Sequence, residues 1–415
     1  MKNVSINKFL PIAIVYFFIN GLFLPEGLLY TTLLTPFFIL WLWKYPAVNY
    51  LWFFAIVSVP FAVIHFINGV NTLVYIKSYF LLFTTFVFAV SFYQFLKVVK
   101  DLPSIFKGLT ILNIFLVFVA LLALLIPVLK PVFWYITEFT ASSSTVYRLK
   151  MLTYEPSYYS TLFVPIVLYY YLKMLFFRME NKAFVFFLLT IPILLSLSFG
   201  IILGLILTMV ILFLSDVKLF TLKSRFPSYF IMTLVLFALI FIVILQVYPD
   251  NPLFLRMANI FAGKDTSFRG RTFDSFFLGW KVAAQKSIFF GAGPGQTKLV
   301  GLDFFKEFYN NSNFTEAEIG IPNSIGDTLA TFGLAGVIIR LCLQVYFFFR
   351  TKVYLNFYRL ALFIFVFIYQ FTGSFITNIA EYVIWILAFT PSLFPEFNKS
   401  SVYAFNQKPL RVSES

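Results

Sequence analysis

The chain has 415 residues, of which 61% are hydrophobic and 12% charged, with a mean hydropathy of +0.90. Those values exclude an ordinary soluble enzyme and point to a polytopic membrane protein. The net charge of +14 would suggest nucleic acid in a soluble chain; here it reads as basic loops that set membrane orientation, so no nucleic-acid partner is expected.

Apolar runs bounded by charges or turn residues place spans at 9–24, 28–43, 50–67, 73–95, 105–128, 159–177, 183–197, 201–215, 229–247, 330–349, 358–376 and 382–393. The expected fold is therefore an all-α polytopic membrane protein of about twelve transmembrane helices of about 20 residues each. One long extracytoplasmic loop separates the ninth and tenth spans. The expected organisation is spans one to nine over 1–248 with a smaller outer loop near 130–157, the large loop at 249–323, spans ten to twelve over 324–397, and a tail at 398–415. Lys2 and Lys8 precede the first apolar run as in a signal peptide, but no small-residue cleavage site follows, so an uncleaved first span is expected.

With a cytoplasmic N-terminus, the connections on that side carry Lys44, then Lys97, Lys100 and Lys107, then Lys173, Arg178 and Lys182, then Lys218, Lys223 and Arg225, then Arg350, Lys352 and Arg359. The short connections around Glu26, Asn71, Gly200 and Asn378 carry no Lys or Arg. This obeys the positive-inside rule and places both termini in the cytoplasm, with the tail carrying Lys399, Lys408 and Arg411.

The large loop holds Arg256, Lys264, Arg269, Arg271, Lys281, Lys286 and Lys298 in its basic first half, and Asp303, Glu307, Glu316 and Glu318 in its second. It shows no apolar core of its own, which marks a loop as functional or disordered. Residues 274–290 mix Phe276, Phe277 and Trp280 with Lys281 and Lys286, a pattern compatible with an amphipathic helix on the membrane surface. The turn Gly291-Ala292-Gly293-Pro294-Gly295 could offer backbone N–H groups to an anion, but it lacks the Lys-Ser/Thr ending of a nucleotide loop.

Two cations fall inside spans. Lys77 lies about a turn from an outer end, where it either snorkels to headgroups or meets a substrate, and Arg340 is placed deeply enough to need an interior partner or a ligand. Arg148, Lys150 and Glu155 precede the span at 159–177; Glu155 either caps the helix begun by Pro156 or accepts a proton from a sugar hydroxyl. Cys342 and His65 are the only cysteine and histidine, which excludes an intrachain disulfide, a thiolate cluster and a multi-histidine metal site. No metal or cofactor is expected.

Four motifs in order, Glu155-Pro156-Ser157, Ser196-Leu197-Ser198-Phe199-Gly200, Arg269-Gly270-Arg271 with Trp280 and the glycine turn, and Pro322-Asn323-Ser324 running to Phe332-Gly333-Leu334-Ala335-Gly336, resemble the O-antigen ligase and Wzy-type polymerase superfamily of bacterial envelope glycan assembly. Ligases of that pattern carry a histidine before the asparagine where this chain has Pro322, which leans the resemblance toward a polymerase. The arginine that members often place after the serines of the second motif is also missing.

The resemblance implies an enzyme of the bacterial cytoplasmic membrane that transfers a growing glycan from polyprenyl pyrophosphate to a lipid-linked repeat unit at the outer face. Glu155, Arg269 and Arg271 would be catalytic, and Lys77, Arg148, Lys150 and Arg340 would bind pyrophosphate. Gly291, Gly293, Gly295 and Asn323 would lie near the substrate. Expected partners are polyprenyl-pyrophosphate-linked oligosaccharides, membrane lipids, and the chain-length regulator and flippase of the same pathway. The alternatives are a ligase that transfers finished glycan to a lipid or protein and, from another class, a glycolipid transporter.

Overall fold

A computed structural model describes residues 9–25, 27–99, 101–138, 145–216, 259, 262–263, 269–310, 312–316 and 319–407. The expected ninth span at 229–247, the loop residues Arg256, Lys264, Asp265 and Glu318, and Lys218, Lys223 and Arg225 lie outside these residues. Among the described residues, five helices are long and apolar enough to cross a membrane: Pro46–Ile67, Thr72–Val98, Leu102–Ala123, Pro156–Phe176 and Ser324–Arg350. Shorter apolar helices at Leu10–Ile19, Lys182–Leu195, Phe199–Ser215, Phe357–Tyr369 and Ile379–Phe389 fall on further expected spans.

The fold departs from a bundle of uninterrupted spans in three places. The second expected span is split into Tyr30–Leu33 and Thr35–Leu42, because Pro36 lacks the N–H that would continue the first piece and is accommodated only in the first turn of a new one. Within the outer connection at 130–157, strands Trp134–Glu138 and Thr145–Leu149 pair as an antiparallel hairpin. The third departure is the most consequential: Ser324–Arg350 is broken at Gly333, whose φ of 64° and ψ of −163° suit a residue without Cβ.

The break folds the chain back on itself. Ser324 and Arg340 are sixteen residues apart, about 24 Å along a straight helix, yet the Arg340 Nη2 donates to Ser324 Oγ at 2.9 Å. Residues 324–332 are thus a half-helix laid beside 334–350, not the upper end of one straight span.

Two compact units divide the chain: Met1–Ile105, Thr266–Thr351 and Val366–Thr390 form one, and Phe106–Asp265, Lys352–Phe365 and Pro391–Ser415 form the other. In the first, aromatic rings pack the short N-terminal helices onto Thr72–Val98, with Tyr16 stacked on Phe88 at 5.4 Å and Phe38 edge-on to it at 5.5 Å. Part of the phenylalanine content is therefore interior packing, where offset and edge-to-face rings add to area burial.

The large loop does have a core. Leu278, Val282, Ala292, Phe305, Ile319 and Ile321 are buried together with Ala330. The apolar residues that make it are spread over more than forty positions and show no single periodicity, which hides the cluster from a reading of the sequence. Helix Ser275–Ala284 buries Leu278, Gly279, Val282 and Ala283 and leaves Phe277 and Trp280 exposed. Its buried face meets the half-helix through Gly279 and Gly326, where a Cβ on Gly279 would lie 2.6 Å from the Gly326 carbonyl oxygen. Only small residues permit that approach.

In the second unit, Val117, Ala120, Phe133, Trp134, Leu149, Met151 and Tyr159 form a core beneath the hairpin. The register sets Trp134 opposite Leu149 on that face, and Tyr135 opposite Arg148 on the other. The Trp134 indole N–H donates to the Ala120 carbonyl at 2.7 Å, and the Tyr159 hydroxyl donates to Asn113 Oδ1 at 2.7 Å. Both buried polar groups are thereby satisfied, and the hairpin is held in place where it delivers Arg148 and Lys150.

Candidate functional site

The four motifs, distant in sequence, meet in pairs, and each pair belongs to a single unit. In the second unit the first two motifs come together. Pro156 begins helix Pro156–Phe176, and Glu155 holds the extended N-cap conformation without capping the helix through its side chain. Its Oε1 instead accepts from Ser157 Oγ. Glu155 thus occupies the cap position, at the positive end of the helix dipole, without a side-chain capping bond.

One turn into that helix, Ser160 Oγ donates to Ser196 Oγ at 2.7 Å, which ties the turn of the second motif to the first. Arg148 Nε donates to the Ser196 carbonyl oxygen at 3.2 Å. Beside it, Lys150 is half-buried, and its backbone N–H extends the hairpin ladder to the Phe133 carbonyl at 2.9 Å. Among the described residues no carboxylate pairs with its ammonium, and burial pushes its pKa below the ordinary lysine value. A cation that loses hydration and gains no anion is held at a cost, which an anionic ligand would relieve.

In the first unit the third and fourth motifs interlock. Asn323 is fully buried and caps the half-helix, its Oδ1 accepting from the amides of Ile325 at 3.1 Å and Gly326 at 2.9 Å. Its Nδ2 donates to the Arg271 carbonyl at 2.8 Å and to the Phe371 carbonyl. All of its capacity is spent inside the protein. Its role in the structure is accounted for without a substrate: it ties three segments together.

The glycine turn is likewise engaged within the protein. The amides of Gly291, Ala292 and Gly293 donate to the carbonyls of Ser287 at 2.6 Å, Ala330 at 2.8 Å and Thr331 at 3.0 Å. In return, the amides of Leu334 and Ala335 donate to the carbonyls of Ile288 at 3.0 Å and Phe289 at 2.9 Å. The turn thus satisfies the backbone groups freed by the Gly333 break, which a membrane interior requires, and those amides are not offered to an anion. A Cβ on Gly293 would meet Tyr75 at 3.1 Å and His65 at 3.2 Å, and one on Gly295 would meet Val74 at 2.9 Å, so close packing sets these glycines.

His65, the only histidine of the sequence, is part of this interlock. It is fully buried; its Nε2 donates to the Phe290 carbonyl at 2.6 Å, and its Nδ1 faces the Tyr75 hydroxyl at 3.2 Å. Gln296 adds a second fastening, pairing through its amide with both backbone groups of Asn71 at 2.9 and 3.2 Å. Lys286 donates to the carbonyls of Asn68 and Gly69, each at 3.0 Å, a cation placed at the end of helix Asn49–Ile67. Nothing in the local sequence signals these pairings, because the partners lie more than two hundred residues apart.

Arg340 has the interior partner expected of a deeply placed cation. It pairs with Glu381, and also donates to Gln370 Oε1 at 3.1 Å, Thr328 Oγ1 at 3.1 Å and Ser324 Oγ at 2.9 Å. Glu381 balances the charge and four hydrogen bonds hold the guanidinium, so its place in the structure is accounted for without pyrophosphate. Lys77 is exposed and shares a helix face with Leu73, Ile76 and Phe80, away from Tyr75, which contacts the glycine turn. That is the placement of a snorkelling lysine and not of a ligand-binding one.

Arg269 pairs with the buried Asp274 at 3.1 Å while its own side chain is 54% exposed. Tyr309 donates to the other Asp274 oxygen at 3.3 Å, and burial together with Asp274 pushes its pKa up to about 12, so it remains a donor. Arg271 presents its carbonyl to Asn323 and keeps a partly exposed side chain. Among the described residues no group of three or more His, Cys, Asp or Glu could hold a metal ion.

No protein-family model matches this chain, and no characterised protein matches it significantly in sequence.

Proposed function

We propose that the protein is a polysaccharide repeat-unit polymerase of the bacterial cytoplasmic membrane, working on polyprenyl-pyrophosphate-linked glycans at the outer face, with both termini cytoplasmic. The observation that carries this reading is Lys150, a half-buried ammonium without an anionic partner among the described residues, set between Arg148 and a carboxylate that does not cap its helix. Cations and a carboxylate on one hairpin-to-helix segment are what glycan transfer from a pyrophosphate needs.

In the reaction, an acceptor hydroxyl attacks the anomeric carbon of the growing glycan. The carbon–oxygen bond to pyrophosphate breaks, its electron pair leaves with the phosphate oxygen, and Glu155 takes the hydroxyl proton. Arg148 and Lys150 stabilise the charge that grows on the leaving group. The arginines Arg269 and Arg271 are further candidates for phosphate, because a planar guanidinium can make two parallel hydrogen bonds to it.

Reconstitution of the purified chain with lipid-linked repeat units tests this reading. Chain extension is expected with the wild type, and its loss is expected in Glu155→Gln and Arg271→Lys at normal protein level and insertion. Unchanged polymer length and yield in Arg271→Lys removes Arg271 from the site. Transfer of finished polymer to a different acceptor, without extension, is the ligase outcome.

A transporter is the second reading, and one observation favours it: the half-helix broken at Gly333, with a buried ion pair beside it. Discontinuous helices around a polar interior are how many transporters build a substrate site. Translocation of the glycolipid without extension in the same vesicles would decide for it.

A further inference from the structure

Near the Arg340–Glu381 pair, the broken helix carries another charged residue, Asp327. The Asp327 Oδ2 accepts from the Ile376 amide at 3.1 Å, and its Oδ1 lies 3.5 Å from Thr331 Oγ1. Neither partner is a cation. The titratable and charged groups facing it are Arg340 from residues 334–350, and Glu381 and Tyr382 from helix Ile379–Phe389; its own half-helix contributes none among the described residues. Arg340 is already committed to Glu381 by direct contact.

The cluster therefore holds two carboxyl groups and one guanidinium. Glu381 is 2% exposed, and while its Oε1 accepts from both Arg340 and the Trp385 indole at 3.2 Å, its Oε2 has no hydrogen-bond partner. The site has one negative charge too many and too few donors for the oxygens it buries. In a low-dielectric interior such an excess is removed by taking up a positive charge.

We propose that this cluster binds one exchangeable proton, carried on the carboxyl of Asp327. The step is the addition of a proton to a carboxylate oxygen, reversible and without change to any other bond. Asp327 is the carrier because Glu381 has the guanidinium as its counter-ion and Asp327 has none in contact. The residue is also only partly buried, whereas Glu381 is almost fully enclosed. The assignment is independent of glycan chemistry and stands or falls apart from the proposed function.

Infrared spectroscopy of the full chain in nanodiscs of phosphatidylethanolamine and phosphatidylglycerol tests it. At pH 6 the wild type is expected to show the carbonyl band of a protonated carboxylic acid, which disappears as pH is raised to 8. The band is expected to be lost in Asp327→Asn and kept in Glu381→Gln. Absence of the band in the wild type at pH 6 overturns the proposal, without depending on how any variant folds. Persistence in Asp327→Asn, or loss in Glu381→Gln alone, overturns the assignment to Asp327. A melting temperature raised by sodium chloride in the wild type but not in Asp327→Asn shows that the cluster takes a metal cation and not a proton, which also overturns it.

Discussion

The interlock around Asn323 and the rim around Lys150 hold comparable sets of polar residues and treat them in opposite ways. In the first, the side-chain donors and acceptors of Asn323 and the amides of the glycine turn are satisfied by other parts of the chain. At the rim, a half-buried ammonium has no anion among the described residues, and the carboxylate at the N-cap position makes no side-chain capping bond. Satisfied polar groups explain themselves as structure. A cation buried without a counter-ion among the described residues, at a cost to the fold, is what points outward to a ligand.

Three substitutions would break or sharpen that contrast. The largest effect on stability is expected from Glu381→Ala, which strips a buried guanidinium of its counter-ion and should cost about 3–5 kcal/mol. A thermal or denaturant unfolding series checks this, and a loss below about 1 kcal/mol would mean that water or headgroups already compensate Arg340.

Asn323→Ala should cost less, on the order of 2–3 kcal/mol, from the lost cap and from the carbonyls of Arg271 and Phe371 left without their donor. Limited proteolysis after the substitution should open the segment at 269–284 before the helices. Equal protection in wild type and variant would mean that the Gly279–Gly326 contact alone holds the loop helix.

The smallest effect is a shift in pH dependence. Burial lowers the Lys150 pKa, so the ammonium is lost on raising pH earlier than in an ordinary lysine, and any anion it holds should be released over that range. The same burial costs stability while the group is charged, and that cost is relieved as pH rises from the folded value toward the unfolded one. Lys150→Arg keeps its charge to far higher pH and should extend the alkaline limb of activity. An unchanged limb would detach Lys150 from the reaction.

Much of the fold was legible in the sequence. Apolar runs of about 20 residues announce helices because lipid leaves the backbone no other partner, and Pro156 marked the start of its helix for a local reason. The loop was read less well. Its core residues are scattered, and the glycine turn reads the same whether its amides face a phosphate or the backbone at 330–331. Arg340 was marked as needing a partner, but Glu381, forty-one positions away, could not be named. His65 was passed over because a single histidine carries no pattern.

From its amino acids alone the chain is determined to be a basic, helical membrane protein with charged loops, because composition and hydropathy act locally and need no neighbour to be read. Only the tertiary structure decided that Ser324–Arg350 is folded back at Gly333, that Arg340 and Asn323 are spent internally, and that Lys150 has no anion among the described residues. Whether a polar group is satisfied depends on which distant residue reaches it, and that is a property of the packed chain.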